Sequence, residues 1–484
     1  MPFQFLRTDR RAWLALVLLF LVSLPAVTTR IYASDEAEYF SYLRSLWFDH
    51  DVSFENEYRY FYERGLSQAS GFHETFLERQ TPTGLRENWG TIGCAILWSP
   101  FYAAGDLTAR VLRAAGRPVQ ADGFSSPYVA AVCYGSAIYG FLALILSAAV
   151  ARRVLGEAGR TRGEEAAVVL AVWLGTPLLF YMYVSPPFSH ACSAFAVAAF
   201  VLAWLLVREN WSARGCVTLG ALAALMAMVR EQDALFAVGP GLDFLWTLAA
   251  GPASRASEAS RPPGPSRRPT ASLLVNAALG VAAFVVAYLP QAFAYLALNG
   301  RVGPSQMVSR KMYWWAPHAL QVILSPEHGL FFWTPLALLA LAGLVVVFRQ
   351  SGDRQRLALA FLAMFALQVY VSGSVASWSA AGAFGHRRFV GTTVVLLTGL
   401  AALARAASSR PARLGLAAAV VLCAWWNLSL MIQFGTGLMN RQQLELCRNA
   451  RMAFIEVPLR VPELAWRYVF DRASFYAPPG GRGQ

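Results

Sequence analysis

The chain has 484 residues, 56% hydrophobic and only 14% charged, with a mean hydropathy of +0.43. A soluble domain is about 45–50% apolar and about 25% charged, so this composition excludes a soluble, disordered, collagenous or nucleic-acid-binding protein. The formal charge of +13 has a plainer source in basic cytoplasmic loops, and the recurring apolar runs of bilayer length make the expected fold class an all-α polytopic membrane protein.

Arg7, Arg10 and Arg11 precede an apolar run over 13–29. No small-x-small cleavage site follows, so the run reads as an uncleaved first span with its amino end in the cytoplasm. Residues 30–90 then break the pattern with eleven acids and six arginines, and form a first external loop. Further runs lie near 91–112, 127–150, 166–184, 188–207, 215–229, 234–250, 273–297, 328–348, 357–375, 389–404 and 414–434. They divide the chain into a first span (1–29), the loop (30–90), a helix bundle (91–434) and a polar tail (435–484) with one or two interfacial helices. The Pro/Ser/Arg-rich stretch 251–272 reads as a flexible loop.

Loop charges set the expected sidedness. The segments 152–165, 208–214, 251–272, 349–356 and 405–413 hold sixteen arginines, whereas 185–187, 230–233, 299–317 and 376–388 hold six basic residues. The first set is therefore expected in the cytoplasm and the second outside. Residues 91–150 must then make one net crossing, which leaves one of their two apolar runs re-entrant, interfacial or half-length. The crossings come out odd in number, with the tail outside. Six cysteines, mostly within apolar runs, show neither CxxC nor metal-ligand spacing, so no disulfide framework or zinc site is indicated.

Five polar stations fall on the outer face under this reading: Asp35 with the polar loop after the first span, His190, Arg230 to Asp233, Arg310 with Lys311, and His386 to Arg388. Ser34-Asp35-Glu36 is followed by Tyr39, Phe40, Leu43, Leu46 and Trp47 at helical spacing, which predicts an amphipathic surface helix over 35–48. Asp35 and Glu36 in its first turn are either helix-end acids beside a Ser34 cap or a general base held at the bilayer surface. Glu87-Asn88-Trp89-Gly90 leads toward Trp98-Ser99-Pro100, where the small residues suit close helix packing. His190 closes a tight turn, Tyr183 to Ser189, and a lone histidine there is more often a hydrogen-bonded turn residue than a catalyst. Arg230-Glu231-Gln232-Asp233 interrupts two apolar runs and must be satisfied, by mutual pairing or by an anionic ligand. Arg310 and Lys311 (the only lysine) precede Tyr313, Trp314 and Trp315; the aromatics suit an interface and the cations suit a phosphate head group. Ser325-Pro326-Glu327-His328-Gly329 enters another run, and His386-Arg387-Arg388 stands at the mouth of a late span. The last is an anion cradle or a pair snorkelling to lipid phosphates.

Together these segments resemble the GT-C superfamily of membrane glycosyltransferases, in particular the bacterial relatives of protein O-mannosyltransferase and aminoarabinose transferase. The resemblance rests on Asp35-Glu36 soon after the first span, the long first external loop, Ser325-Pro326…Gly329-Leu330…Pro335, and Gly385-His386-Arg387-Arg388-Phe389. It implies a bundle of about 11–13 transmembrane helices in a bacterial inner membrane, with an external active site. It also implies an inverting transfer of a hexosyl or pentosyl group from a polyprenyl-phosphate carrier to a glycan, lipid or protein acceptor. Asp35 would then be the base, with Glu36 assisting, and Arg230, Arg310, Lys311, Arg387 and Arg388 would be candidates for the leaving phosphate. Glu87, His190, His328 and His386 join the candidate substrate-binding set. Where relatives carry a lysine before the second span, this chain has Arg86-Glu87-Asn88, and Arg86 is the candidate replacement. Some relatives use a divalent metal and others none; no metal cluster is evident here, and none is expected. A transporter or flippase of a polyprenyl-linked or anionic lipid is the alternative, but no inverted repeat is evident and the ionisable residues gather at one face rather than the midplane.

Overall fold

In hydrocarbon every backbone N–H and C=O must be satisfied within the segment, so apolar runs of this length have only the helix open to them. The computed structural model describes residues 10–65, 71–156, 163–249, 269–380 and 382–475. Most of the 251–272 loop, and Arg7, lie outside the described residues. Apart from the isolated pairings Gln80–Arg86 and Met312–Val375, the described regular structure is helical.

In chain order the helices are α1 Arg10–Ser23, α2 Ser34–Arg44, α3 Glu55–Glu63, α4 Gly93–Ala114, α5 Ser126–Leu155, α6 Glu164–Gly175, α7 Leu178–Tyr183, α8 His190–Val207, α9 Ala213–Val229 and α10 Val238–Ala249. They continue as α11 Thr270–Asn299, α12 Gln306–Arg310, α13 Ala319–Leu324, α14 Leu330–Trp333, α15 Leu336–Phe348, α16 Asp353–Ser374, α17 Thr393–Ala406, α18 Arg410–Gly435, α19 Leu446–Arg451 and α20 Val457–Phe470. Six segments among the described residues are long and apolar enough to cross a membrane: α5, α8, α11, α16, Arg387–Ala406 (ending in α17) and α18; α9 and α15 are apolar but shorter. The chain is thus an all-α protein with membrane-spanning helices.

α8 sits at the centre, buried along almost its whole length, while α1, α11 and α18 turn rows of leucine, valine and phenylalanine outward. Pairs of spans meet backbone to backbone where glycine leaves no side chain. A Cβ at Gly220 on α9 would lie 1.9 Å from the Gly280 carbonyl oxygen on α11, and one at Gly343 on α15 would lie 1.8 Å from that of Gly399 on α17. Such small-residue crossings let dispersion forces hold helices that gain no hydrophobic drive from lipid. At one end of the bundle Arg208 clamps three helices: it donates to Asp243 on α10 at 2.7 and 2.8 Å and to Asp353 on α16 at 2.6 and 2.8 Å.

At the opposite end lie the elements from the first polar loop. α4 runs antiparallel beside the first half of α5: Trp98 donates to Ser136 at 2.8 Å, Tyr139 to the Leu97 carbonyl at 2.8 Å, and Gly105 packs on Pro127. Residues 120–124 then return to α2 and α3, where Phe124 stacks on Tyr60 with ring centres 3.9 Å apart. The stretch 91–126 therefore runs along the first half of α5 and returns to the elements of the first polar loop. The helix expected over 35–48 forms, but not as an open surface helix. Ala37, Phe40, Tyr42 and Leu43 of α2 are buried under α3 and α4, with Phe40 against Phe61 and Tyr102 and Tyr42 against Phe54.

Replacing Gly343 or Gly220 by valine should cost at least the upper end of the ~1–3 kcal/mol typical of overpacking, because the added atoms meet main chain. Gly415→Val, whose Cβ meets nothing within 4 Å, is the control. Thermal unfolding in detergent should show a clear loss for the first two and no change for the third.

Candidate functional site

The site is assembled where α2 begins. The Ala33 backbone is extended and Glu36 reaches back so that its Oε2 accepts the N–H of Tyr32 at 2.9 Å and of Ala33 at 3.2 Å. This is the Glu half of a capping box, satisfying donors that a helix start leaves open. Glu36 is fully buried in that role, so the structure gives the acid next to Asp35 a structural task rather than a place facing substrate. Tyr32 Oη bonds Ser185 Oγ and pins the same corner to the loop after α7.

Asp35 is left as the accessible acid of the turn. Its Oδ2 accepts from Arg387 Nη1 at 2.6 Å, with the two side chains 43% and 26% exposed. Arg387 reaches this position because the chain before α17 is tightly held. Phe384 stacks on Phe180 with ring centres 4.5 Å apart, and its carbonyl accepts from Tyr181 Oη at 3.0 Å. Gly385 has φ +59°, and a Cβ there would come within 2.7 Å of Pro177. The Arg388 carbonyl accepts from Gln232 Nε2 at 3.2 Å and Gln368 Nε2 at 3.0 Å.

Two more guanidiniums stand beside this pair. Arg230 donates to Ser189 Oγ at 3.2 Å, His190 Nδ1 at 2.9 Å and Gln232 Oε1 at 3.2 Å. Arg388 donates to the Ser377 carbonyl at 2.8 Å, Ser377 Oγ at 3.0 Å and the Trp378 carbonyl at 3.3 Å. Among the described residues, then, Arg387 has a carboxylate partner while Arg230 and Arg388 bond only neutral groups. Arg230 forms no ion pair with Glu231 or Asp233: Glu231 accepts from Tyr295 Oη at 2.5 Å and Asp233 from Ser193 Oγ at 2.6 Å. Because Arg230 can only donate, His190 must accept through Nδ1 as a neutral ring with its proton on Nε2. That buried Nε2 has no hydrogen-bond partner, so an unused donor adjoins the cations.

Two of the nearby buried acids, Glu36 and Glu38, offset little of this positive charge at neutral pH, whereas burial raises Asp233 only to about 6 and leaves it mostly ionised. Burial, followed by the neighbouring Asp35 charge, pushes Glu38 up to about 8, and burial pushes Glu36 to about 8. Both carboxyls are therefore mostly protonated at pH 7. Glu38 was quoted with the opening motif but not selected as a site residue. It follows Asp35 by one helical turn, and its Oε2 accepts the Trp89 N–H at 2.8 Å.

The remaining candidates divide. Lys311 lies 4.3 Å from the centre of the Trp89 ring, and Trp89 Nε1 donates to Glu87 Oε2 at 3.2 Å, so Lys311 and Glu87 border the site through Trp89. His328 is buried and stacked on Trp333 at 4.9 Å; burial, with Arg387 and Arg388 behind it, lowers its pKa to about 4. His386 is buried edge-on to Phe389, held well below its ordinary pKa chiefly by burial, and faces a cavity of about 10 Å³, room for one water. Arg86 is spent elsewhere, on Glu55 and on the Glu78 carbonyl at 3.1 Å. Arg310 is exposed at the end of α12 and, among the described residues, makes no bond to the cluster. Gln232, Gln368 and Tyr181 were not selected from the sequence. A single glutamine inside the apolar run 357–375 was a readable signal, whereas Tyr181 offered none. Among the described residues no three His, Cys, Asp or Glu side chains group as a metal site.

The buried acids set a pH dependence. Glu36 and Glu38 have folded pKa values raised above those of an unfolded chain, so their contribution is fully present below about pH 4.5 and lost as pH rises through about 8. Thermal stability in detergent should fall across that window, and Glu36→Gln with Glu38→Gln should flatten the fall. A slope unchanged in the double variant would count against protonated acids at these positions.

Compared with known proteins, the chain matches no protein-family model and no curated protein.

Proposed function

We propose that this protein is an inverting glycosyltransferase of GT-C type, moving a hexosyl or pentosyl group from a polyprenyl-phosphate carrier to an extracytoplasmic acceptor. One observation carries the reading: Asp35 and Arg387, 352 residues apart in sequence, meet at 2.6 Å beside two arginines that have only neutral partners. Placing a cation in a partly desolvated site is costly unless an anion completes it, and Arg pairs with phosphate through a rigid fork of donors. A phosphate among Arg230, Arg388 and the free His190 N–H would satisfy all three.

The reaction then divides between the two ends of this cluster. Asp35, accessible at the start of α2, takes the proton of the acceptor hydroxyl as that oxygen attacks the anomeric carbon. The bond from that carbon to the carrier phosphate breaks, and the negative charge gathering on the departing oxygens is met by guanidiniums already in place. Arg387 spans both events, since a phosphate drawing it away would release Asp35 to act as base. The proposed setting is a bacterial inner membrane with this end of the bundle outside, as the arginine-poor loops suggest. The proposed bundle of about 11–13 spans includes the shorter apolar helices as crossings.

The test is turnover of lipid-linked sugar by purified protein in liposomes, read by mass spectrometry of both products. A transferase yields free polyprenyl phosphate and a new glycoside, whereas a flippase changes sidedness alone. Asp35→Asn should keep the fold and lower turnover by about 10²–10⁴-fold. Arg230→Gln and Arg388→Gln should each lower it by about 10²–10³-fold. Unchanged turnover in Asp35→Asn would remove the base from the proposal.

A further inference from the structure

The last carbonyls of a helix have no partner within it, and in the 3-10 turn Leu24–Ala26 that extends α1 a segment from much later in the chain supplies one. Arg472 donates to the Pro25 carbonyl at 2.9 Å, the Ala26 carbonyl at 2.7 Å and Thr28 Oγ1 at 3.3 Å, while Tyr468 Oη donates to the Ala26 carbonyl at 2.5 Å. A cation at a helix C-terminus also complements its dipole. At its other end the segment leading into α20 rests on α18: Trp425 Nε1 donates to the Ala453 carbonyl at 3.0 Å, and Phe454 stacks on Trp426 at 6.4 Å. α20 therefore bridges two helices whose outward faces, Leu18 and Val22 on α1 and Val421 and Leu422 on α18, are apolar and uncovered. It starts level with Trp425 and Trp426, inside the apolar stretch of α18, and finishes level with Ala26.

The helix has three sides. Val457, Leu464 and Tyr468 turn toward the bundle, with Val457 fully buried. Leu459, Trp466 and Phe470, spaced i, i+7 and i+11, form an opposing stripe that is 79%, 65% and 67% exposed. Arg460, Glu463 and Arg467 lie along one flank of that stripe. An apolar stripe bordered by charges suits a helix at a membrane interface, and the uncovered apolar faces of α1 and α18 that flank it call for lipid on that side.

We propose that α20 is a lipid-surface helix, with Leu459, Trp466 and Phe470 among the acyl chains of the leaflet at the site end of the bundle and Arg460, Glu463 and Arg467 toward the phospholipid head groups. Through Tyr468, and Arg472 just beyond its end, it clamps the turn that follows α1 at Pro25 and Ala26, the latter nine residues before Asp35. This proposal does not depend on the transferase reading.

The test uses the full chain in phosphatidylcholine–phosphatidylglycerol nanodiscs, with Cys423 and Cys447 changed to serine. Nitroxides are placed singly at 459, 460, 463, 466 and 470, and collision with oxygen is compared with collision with a water-soluble nickel chelate. Oxygen should exceed nickel several-fold at 459, 466 and 470, with the order reversed at 460 and 463. Nickel access at all five positions would overturn the proposal by placing the helix in water. Exclusion of both reagents from the stripe would also overturn it, by showing that a second copy or another polypeptide covers it. Arg472→Ala with Tyr468→Phe should raise nitroxide mobility at 466, and unchanged mobility would overturn the clamp.

Discussion

The Asp35–Arg387 ion pair joins the start of the first polar loop to the mouth of a late span, and the surrounding architecture is what allows it to exist. A guanidinium held partly out of water needs an acceptor, and a carboxylate at a helix start is available only if the acids beside it are otherwise engaged. Glu36 caps its own helix and Glu38 receives the Trp89 amide, so the accessible negative charge of this turn rests on Asp35. Arg387 is aimed at it by a backbone fixed from three sides: Phe180 and Tyr181 on α7, Gln232 before α10, and Gln368 on α16.

The same restraint leaves an imbalance. Three guanidiniums and a histidine N–H converge on a site with one accessible carboxylate, while burial keeps Glu36 and Glu38 largely protonated. Water or an anion must complete such a site, and a phosphate matches the donors in number and geometry better than a carboxylate does. At the far end of the bundle the opposite solution appears. Arg208 spends four of its five N–H donors on two carboxylates, as expected of a cation whose work is to hold α8, α10 and α16 together.

Much of the architecture could be read from short-range information. Apolar runs and loop arginines mark the helices, and the spacing of Tyr39, Phe40 and Leu43 marks α2. The identity of the covered face was not legible, because what lies over Phe40 and Tyr42 comes from α3 and α4 through contacts that no local pattern encodes. For the site, Asp35, His190, Arg230, Arg387 and Arg388 stood out as polar interruptions of apolar sequence, and all five converge. Arg86 and Arg310 stood out equally well and lie elsewhere, since a cation in sequence does not reveal whether a partner such as Glu55 already holds it. The reverse failure is Tyr181, an aromatic in an apolar run whose position beside His190 and the Phe384 carbonyl depends wholly on tertiary packing.

Cryo-electron microscopy of the full chain in nanodiscs containing a polyprenyl phosphate would show whether one chamber serves both base and leaving group. Phosphate density within hydrogen-bond distance of Arg230 and Arg388, with Arg387 turned from Asp35 toward it, is the expected result. Phosphate bound at the Arg208 end of the bundle, or separated from Asp35 by packed side chains, would contradict it.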